Sequence, residues 1–191
     1  LENLAYWHAR RLTCVSEDMA KHIAGKIRRP IDVVYNGVEQ SSIGEPGISA
    51  ADPDVFCYAG NLGYAQDIDT MVCGFAASLK AEGMQNARLL LIGDGALRSR
   101  TEAMVRQLGI AERVDFTGAL AKREAIARMR SAGCLLIPLM KAPAFELTVP
   151  SKVFDCLALG RPIISTVGGE ARRILDISGA NVVTDAGDAE K

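Results

Sequence analysis

A chain of 191 residues, 49% apolar and 24% charged, is long enough for one self-sufficient core and has an ordinary globular balance. Its 22 basic and 23 acidic side chains leave a formal net charge of −1, so no global basic field exists to gather nucleic acid or an anionic membrane surface. No apolar run approaches the roughly 18 residues needed to span a bilayer, and no signal-peptide pattern is present.

The five cysteines, Cys14, Cys57, Cys73, Cys134 and Cys156, are odd in number and form no CxxC pair. This points to free thiols in a reducing, cytoplasmic compartment rather than a disulfide framework. His8 and His22 lie far from any cysteine cluster, and no zinc site is expected. The chain opens on Leu1 rather than Met and reads as a piece of something longer.

Residues 1–11 have helical character. LTCV (12–15) reads as a short strand, and SEDMAKHI (16–23) as a helix capped by Ser16, with Glu17 and Asp18 complementing its dipole. IDVVY (31–35) is a second strand, closed by the turn signal Asn36-Gly37. Residues 39–54, rich in Ser, Gly and Pro, read as a linker. From Val55 the pattern is regular. Strands are predicted at 55–60, 89–93, 113–118, 134–139, 162–166 and 181–185, with helices near 67–81, 96–108, 121–131, 151–159 and 170–177 between them. The strands are continuous apolar runs, as in LLLIG and CLLIPL, which marks strands buried on both faces of a parallel sheet. Strict alternation with helices predicts an α/β fold, a Rossmann-like doubly wound parallel sheet with right-handed crossovers.

Ligands of such sheets bind at the carboxyl ends of the strands. The loops there are Gly60–Gln66, Gly93–Gly95, Gly118–Leu120, Pro138–Pro150 and Thr166–Gly169, four of them with glycine close to the strand end. The stretch 92-IGDGALRSR-100, with Asp115 further on, approaches a dinucleotide fingerprint. Arg98 replaces its third glycine, however, and Asp94 would repel a pyrophosphate. No GxxxxGK[ST] phosphate loop exists. In 58-YAGNLGYAQD-67 two glycines frame Asn61, a backbone nest that suits a phosphate or a sugar.

TVPSKVFDCLALGRPII (148–164) is the most informative stretch. Pro150 suits a first helical turn, Thr148 or Ser151 can cap, and Gly160 and Pro162 end the helix. Ser151 and Lys152 then stand at a helix N-terminus, where amides and dipole favour an anion. Asp155 lies about one turn in, placed to accept two ribose hydroxyls. The alternative for Lys152 and Asp155 is a solvated helix face.

VVYNGVE, YAGNLGYAQD, LLLIGDG, VDFTG and TVPSKVFDCLALGRPII, in this order, resemble the C-terminal, donor-binding half of a family 4 (group 1) glycosyltransferase of the GT-B fold. The likeness is to bacterial capsule, O-antigen and exopolysaccharide transferases and covers roughly residues 12–185. It implies a division into 1–38, the tail of an acceptor domain and the crossing segment; 39–54, a linker; and 55–191, the domain for a nucleotide-sugar donor. It also assigns roles. Gly60, Asn61, Leu62, Gly63, Ser151 and Lys152 would hold the diphosphate and sugar. Asp155, an aspartate where the family usually has glutamate, would bind the ribose. Gly93, Asp94, Gly95, Thr117, Gly118 and Leu120 would line the base pocket. Many members carry a second acid where this chain has Leu147, and the adjacent Glu146 is the candidate to touch the sugar. Positions where the family often has phosphate-binding cations read here as Asn61 and Gln66-Asp67, leaving Lys152 to compensate. Arg98 and Arg161 read as surface or helix-end charges.

The implied reaction is retaining transfer from a UDP-linked donor to a glycan or lipid-linked acceptor, without cofactor or metal, and with peripheral membrane association of the full-length protein. The chain alone would be inactive. A sugar-nucleotide epimerase of similar architecture and a non-catalytic nucleotide- or sugar-binding module are the alternatives.

Overall fold

The computed structural model describes residues 2–40, 43, 51–179, 181–184 and 187. The chain begins with α1 (Glu2–His8), β1 (Thr13–Cys14), α2 (Glu17–Ala24) and β2 (Asp32–Val33). β1 and β2 pair in parallel as a small separate sheet over a core of Cys14, Ile23 and Ile27. The cap of α2 is as the sequence predicts: Ser16 accepts the amide of Met19 at 3.1 Å.

The main body runs β3 (Asp52–Ala59), α3 (Ile68–Ser78), β4 (Arg88–Ile92), α4 (Arg98–Gln107), β5 (Val114–Gly118), α5 (Lys122–Ser131), β6 (Ala132–Ile137), α6 (Pro143–Glu146), α7 (Ser151–Ala158), β7 (Ile163–Ser165), α8 (Gly169–Ser178) and β8 (Asn181–Val183). All six strands pair in parallel in the order β5-β4-β3-β6-β7-β8. The chain therefore winds outward from β3 in one direction and from β6 in the other. The switch point lies between these two central strands, and the carboxyl edge there is where ligands of such sheets bind.

Each face of the sheet has its own core, as the continuous apolar runs require. Cys57, Leu90, Leu135 and Ile137 meet Val153 and Cys156 of α7 and Leu175 of α8 on one face. Tyr58, Leu89, Leu91 and Leu136 meet Val72 and Phe75 of α3 and Val105 of α4 on the other. A fully buried Leu or Phe of this kind contributes about 1.5–3 kcal/mol.

Two features depart from the sequence expectation. Of the expected linker, residues 41, 42 and 44–50 lie outside the described residues, and Asp52-Pro53-Asp54 belong to β3. A proline is tolerated in this central strand because the β3–β6 register shifts between Asp52 and Phe56 and β4 pairs only from Val55 onward. Gly133 permits the close approach, since a Cβ there would stand 2.7 Å from the Pro53 backbone. The second departure is α6, a single turn inside a loop with no predicted structure, with Pro143 opening it.

One cluster that fastens the first segment to the main body centres on α8. Glu170 of α8, only 5% exposed, accepts the Asp18 amide at 3.0 Å and the Tyr35 hydroxyl. Arg173 pairs with Asp18 at 2.7 Å, Ser16 donates to the Leu147 carbonyl, and Tyr35 stacks edge-on against Phe154 with centroids 6.0 Å apart.

Candidate functional site

Three loops meet at the carboxyl edge through backbone contacts. The Gly60 amide donates to Ile92 at 2.8 Å, the Leu62 amide to Asp94 at 2.9 Å, and the Gly93 amide to Gly118 at 2.8 Å. Gly93 and Gly95 have φ of 128° and 159°. A Cβ on Gly93 would stand 2.0 Å from the Gly60 carbonyl oxygen, and one on Gly95 2.5 Å from that of Leu62. The approach these glycines allow is thus of one loop on another. Leu62 turns its side chain wholly into the core, and its carbonyl accepts the Leu97 amide, so its part is to anchor the loop. Asn61 stands exposed at the loop's tip.

The N-terminal end of α7 stands beside this loop, with Lys152 against Gly60. No side chain caps it. Pro150 takes the N-cap position, Ser151 is exposed, and Thr148 donates instead to the Phe145 carbonyl at 3.3 Å. The expected Thr or Ser cap is therefore not formed. The amides of Ser151 and Lys152 are left at the positive end of the helix dipole.

Lys152 reaches over the sheet edge from the α7 face to a ring of the opposite face. Its Nζ lies 3.9 Å from the centroid of Tyr58 and 2.6 Å from the point a Cβ of Gly60 would occupy. It forms no ion pair among the described residues. Burial pushes its ammonium down to about 8, opposed by the charge of Asp155. Asp155, half-buried one turn further along α7, makes no hydrogen bond or ion pair among the described residues. Beneath them, burial pushes the thiols of Cys57 and Cys156 up to about 12, so both stay protonated and inert.

The remaining residues named from the sequence divide. Thr117 donates to the Gly118 carbonyl at 2.8 Å, and Leu120 packs against the core of the α7 face. Asp94, exposed, accepts the Gly95 amide at 2.7 Å and lies 3.6 Å from Arg98. Arg98 is more than a surface charge: it lies 5.9 Å over the Phe116 ring and 3.2 Å from the Cβ point of Gly118, with Glu102 at 3.0 Å. Asp115, the acid that a dinucleotide fingerprint would need, is exposed and paired with Arg88 at 2.8 Å. Glu146, on α6, lies against Gly168 at the start of α8, in a cavity of about 230 Å³ that it shares with Lys141 and Arg172. Tyr58 is the residue that sequence reasoning missed. It reads there as one more apolar strand position.

A larger cavity, about 600 Å³, lies elsewhere, on the sheet face beside α3, with Phe56, Phe75, Leu136 and Ile164 in its lining. Among the described residues Asp67 is the one charged side chain in its lining, and none of them presents a cation to a phosphate. Lys152 lies instead beside Gly60 and Tyr58 at the switch point. No three His, Cys, Asp or Glu side chains group to hold a metal ion, and no helix is long and apolar enough to cross a membrane, among the described residues.

The parallel six-stranded sheet with helices on both faces is a fold shared with GT-B glycosyltransferases. The chain matches the family described as Glycosyl transferases group 1 over residues 53–191 and belongs to it. It is 30% identical over 124 residues to the lipopolysaccharide core biosynthesis glycosyltransferase LpsD of Rhizobium meliloti, an alignment covering 61% of this chain and 34% of that protein. Among solved structures, it is similar to the lipopolysaccharide outer core galactosyltransferase WaaB in its apo form, with TM-score 0.70, 24% identity, 95% of this chain and 50% of that one. It is also similar to Anabaena HepE in complex with UDP and glucose, with TM-score 0.77, 16% identity, 98% of this chain and 53% of that one. The chain spans less than half the length of the curated relatives it matches and about half of these solved ones.

Proposed function

We propose that this chain is the donor-binding unit of a retaining glycosyltransferase that takes a UDP-linked sugar. The diphosphate lies between the amides of Ser151 and Lys152, the Lys152 ammonium and the Gly60–Gly63 nest. The ribose is held by Asp155, the base by the loops 93–95 and 117–120, and the sugar extends toward Glu146. Support comes from one observation above the others: a half-sequestered ammonium with no carboxylate partner among the described residues stands at an uncapped helix N-terminus, facing a glycine loop.

In the transfer, the bond between the anomeric carbon and the β-phosphate oxygen breaks and its electron pair leaves with the nucleoside diphosphate. An acceptor hydroxyl supplies the new oxygen, and its proton passes to the departing diphosphate. Fixed amides and a fixed cation beside the departing diphosphate stabilise the charge that develops there, without reorganisation at the moment of reaction. That clamp stands in for a metal ion. The acceptor, a glycan or lipid-linked glycan of a surface polysaccharide, is bound by the rest of the full-length protein, at the cytoplasmic face of the membrane. The name of LpsD and the UDP held by HepE support this choice of acceptor and donor.

Calorimetric titration with UDP, GDP and ADP tests the reading. UDP is expected to bind best. Lys152→Met and Asp155→Asn should each weaken it by roughly 1.5–3 kcal/mol, the worth of a charge-assisted hydrogen bond. Equal affinity of both variants for UDP would place the nucleotide elsewhere.

A further inference from the structure

We propose that Tyr58 is the positioning residue of the donor site: its ring holds the Lys152 ammonium and its hydroxyl sets the Gly60–Gly63 loop, so that one buried side chain aligns both sides of the diphosphate clamp. The proposal rests on the donor-site reading given above.

Tyr58 is 0% exposed, at the carboxyl end of the central strand β3. Its hydroxyl donates to the carbonyl of Asn61 at 2.6 Å, fixing the peptide at the tip of the loop. The same ring lies 3.9 Å under the Lys152 Nζ, the range of a cation–π contact. The hydroxyl is 3.2 Å from the Cβ point of Gly60, the position that Nζ crowds at 2.6 Å. Lysine, loop glycine and tyrosine hydroxyl therefore share one small volume, which only a residue without a side chain at position 60 leaves open.

The groups facing the ammonium are few. From α7 come Asp155 and the Cys156 thiol; from β3 come the Cys57 thiol and the Tyr58 ring. Burial favours the neutral amine, and both thiols stay protonated. The ring's negative face, 3.9 Å away, favours the charged form, as does the charge of Asp155. A leucine or valine at position 58 would offer neither a π-face nor a hydroxyl.

Two changes separate the functions of the ring and the hydroxyl while keeping the shape of the side chain. Tyr58→Phe removes the hydroxyl alone. Pentafluorophenylalanine at position 58 has nearly the shape of phenylalanine but a face that no longer attracts a cation. In the ligand-free protein, the Lys152 titration midpoint is followed by its Nζ resonance. It should be the same in wild type and Tyr58→Phe and fall by roughly 0.5–1.5 pH units on fluorination. UDP affinity should fall about two- to tenfold in Tyr58→Phe and further on fluorination. A midpoint that fluorination leaves in place, or undiminished UDP affinity in Tyr58→Phe, overturns the proposal. If the wild-type chain does not bind UDP, the donor-site reading fails instead, and the lysine titration still reports on the ring.

Discussion

The ammonium of Lys152 stands 2.6 Å from the point a Cβ would take on Gly60, two residues that belong to different elements 92 positions apart. The glycine is what lets the lysine lie at the carboxyl edge of the sheet. Gly60→Ala therefore acts twice. Its φ of 149° strains any side chain, at a cost of roughly 1–3 kcal/mol. The flexible end of Lys152 gives way to the new methyl, so UDP affinity is expected to drop about tenfold or more. Urea unfolding and calorimetry on the same variant separate the two effects.

Binding of UDP should depend on pH through Lys152. Burial lowers its ammonium to about 8, so the charge is present at pH 7 and lost as pH rises through 8. UDP affinity is expected to weaken between pH 7 and 9 in the wild type and to stay level in Lys152→Met. Stability moves the other way. The folded state releases this proton before the unfolded chain, whose lysine keeps the ordinary value of 10.5. Stability contributed by this group therefore rises between about pH 8 and 10.5, where the unfolded state binds more protons. Urea titrations of wild type and Lys152→Met across that window check the sign.

Glu170 joins the first segment to the sheet domain. Glu170→Ala strands the Asp18 amide and the Tyr35 hydroxyl and is expected to cost about 1–3 kcal/mol. The Glu170 carboxylate holds the Tyr35 phenol up at about 12. A raised folded-state value means that this stability is fully present below pH 10 and lost as pH rises through 12. In Glu170→Ala the ultraviolet titration of Tyr35 should move back toward the ordinary 10.

Much of this architecture can be read in the residues. LLLIG and CLLIPL are apolar without alternation, and both become strands buried on each face, at the places the pattern marks. The glycines after β3, β4 and β5 mark the carboxyl edge, and PSK marks the helix that faces it. Other features depend on contacts between distant residues. Asp52-Pro53-Asp54 has the composition of a linker, and it joins a strand only because Gly133 leaves room beside it. PAFE is a single turn, too short for any periodicity to show. The pairing of Tyr58 with Lys152 joins residues 94 apart and follows from the order of β3 and β6 in the sheet. Arg98 looks like an exposed helix charge until β5 brings Phe116 beneath it.

The most direct test of the donor site is amide chemical-shift mapping of the isotope-labelled chain during titration with UDP. The account predicts the largest shifts at Gly60, Asn61, Ser151, Lys152 and Asp155, the residues around the switch point. Shifts confined to Thr70, Phe75 and Ile164, around the apolar cavity beside α3, would contradict it.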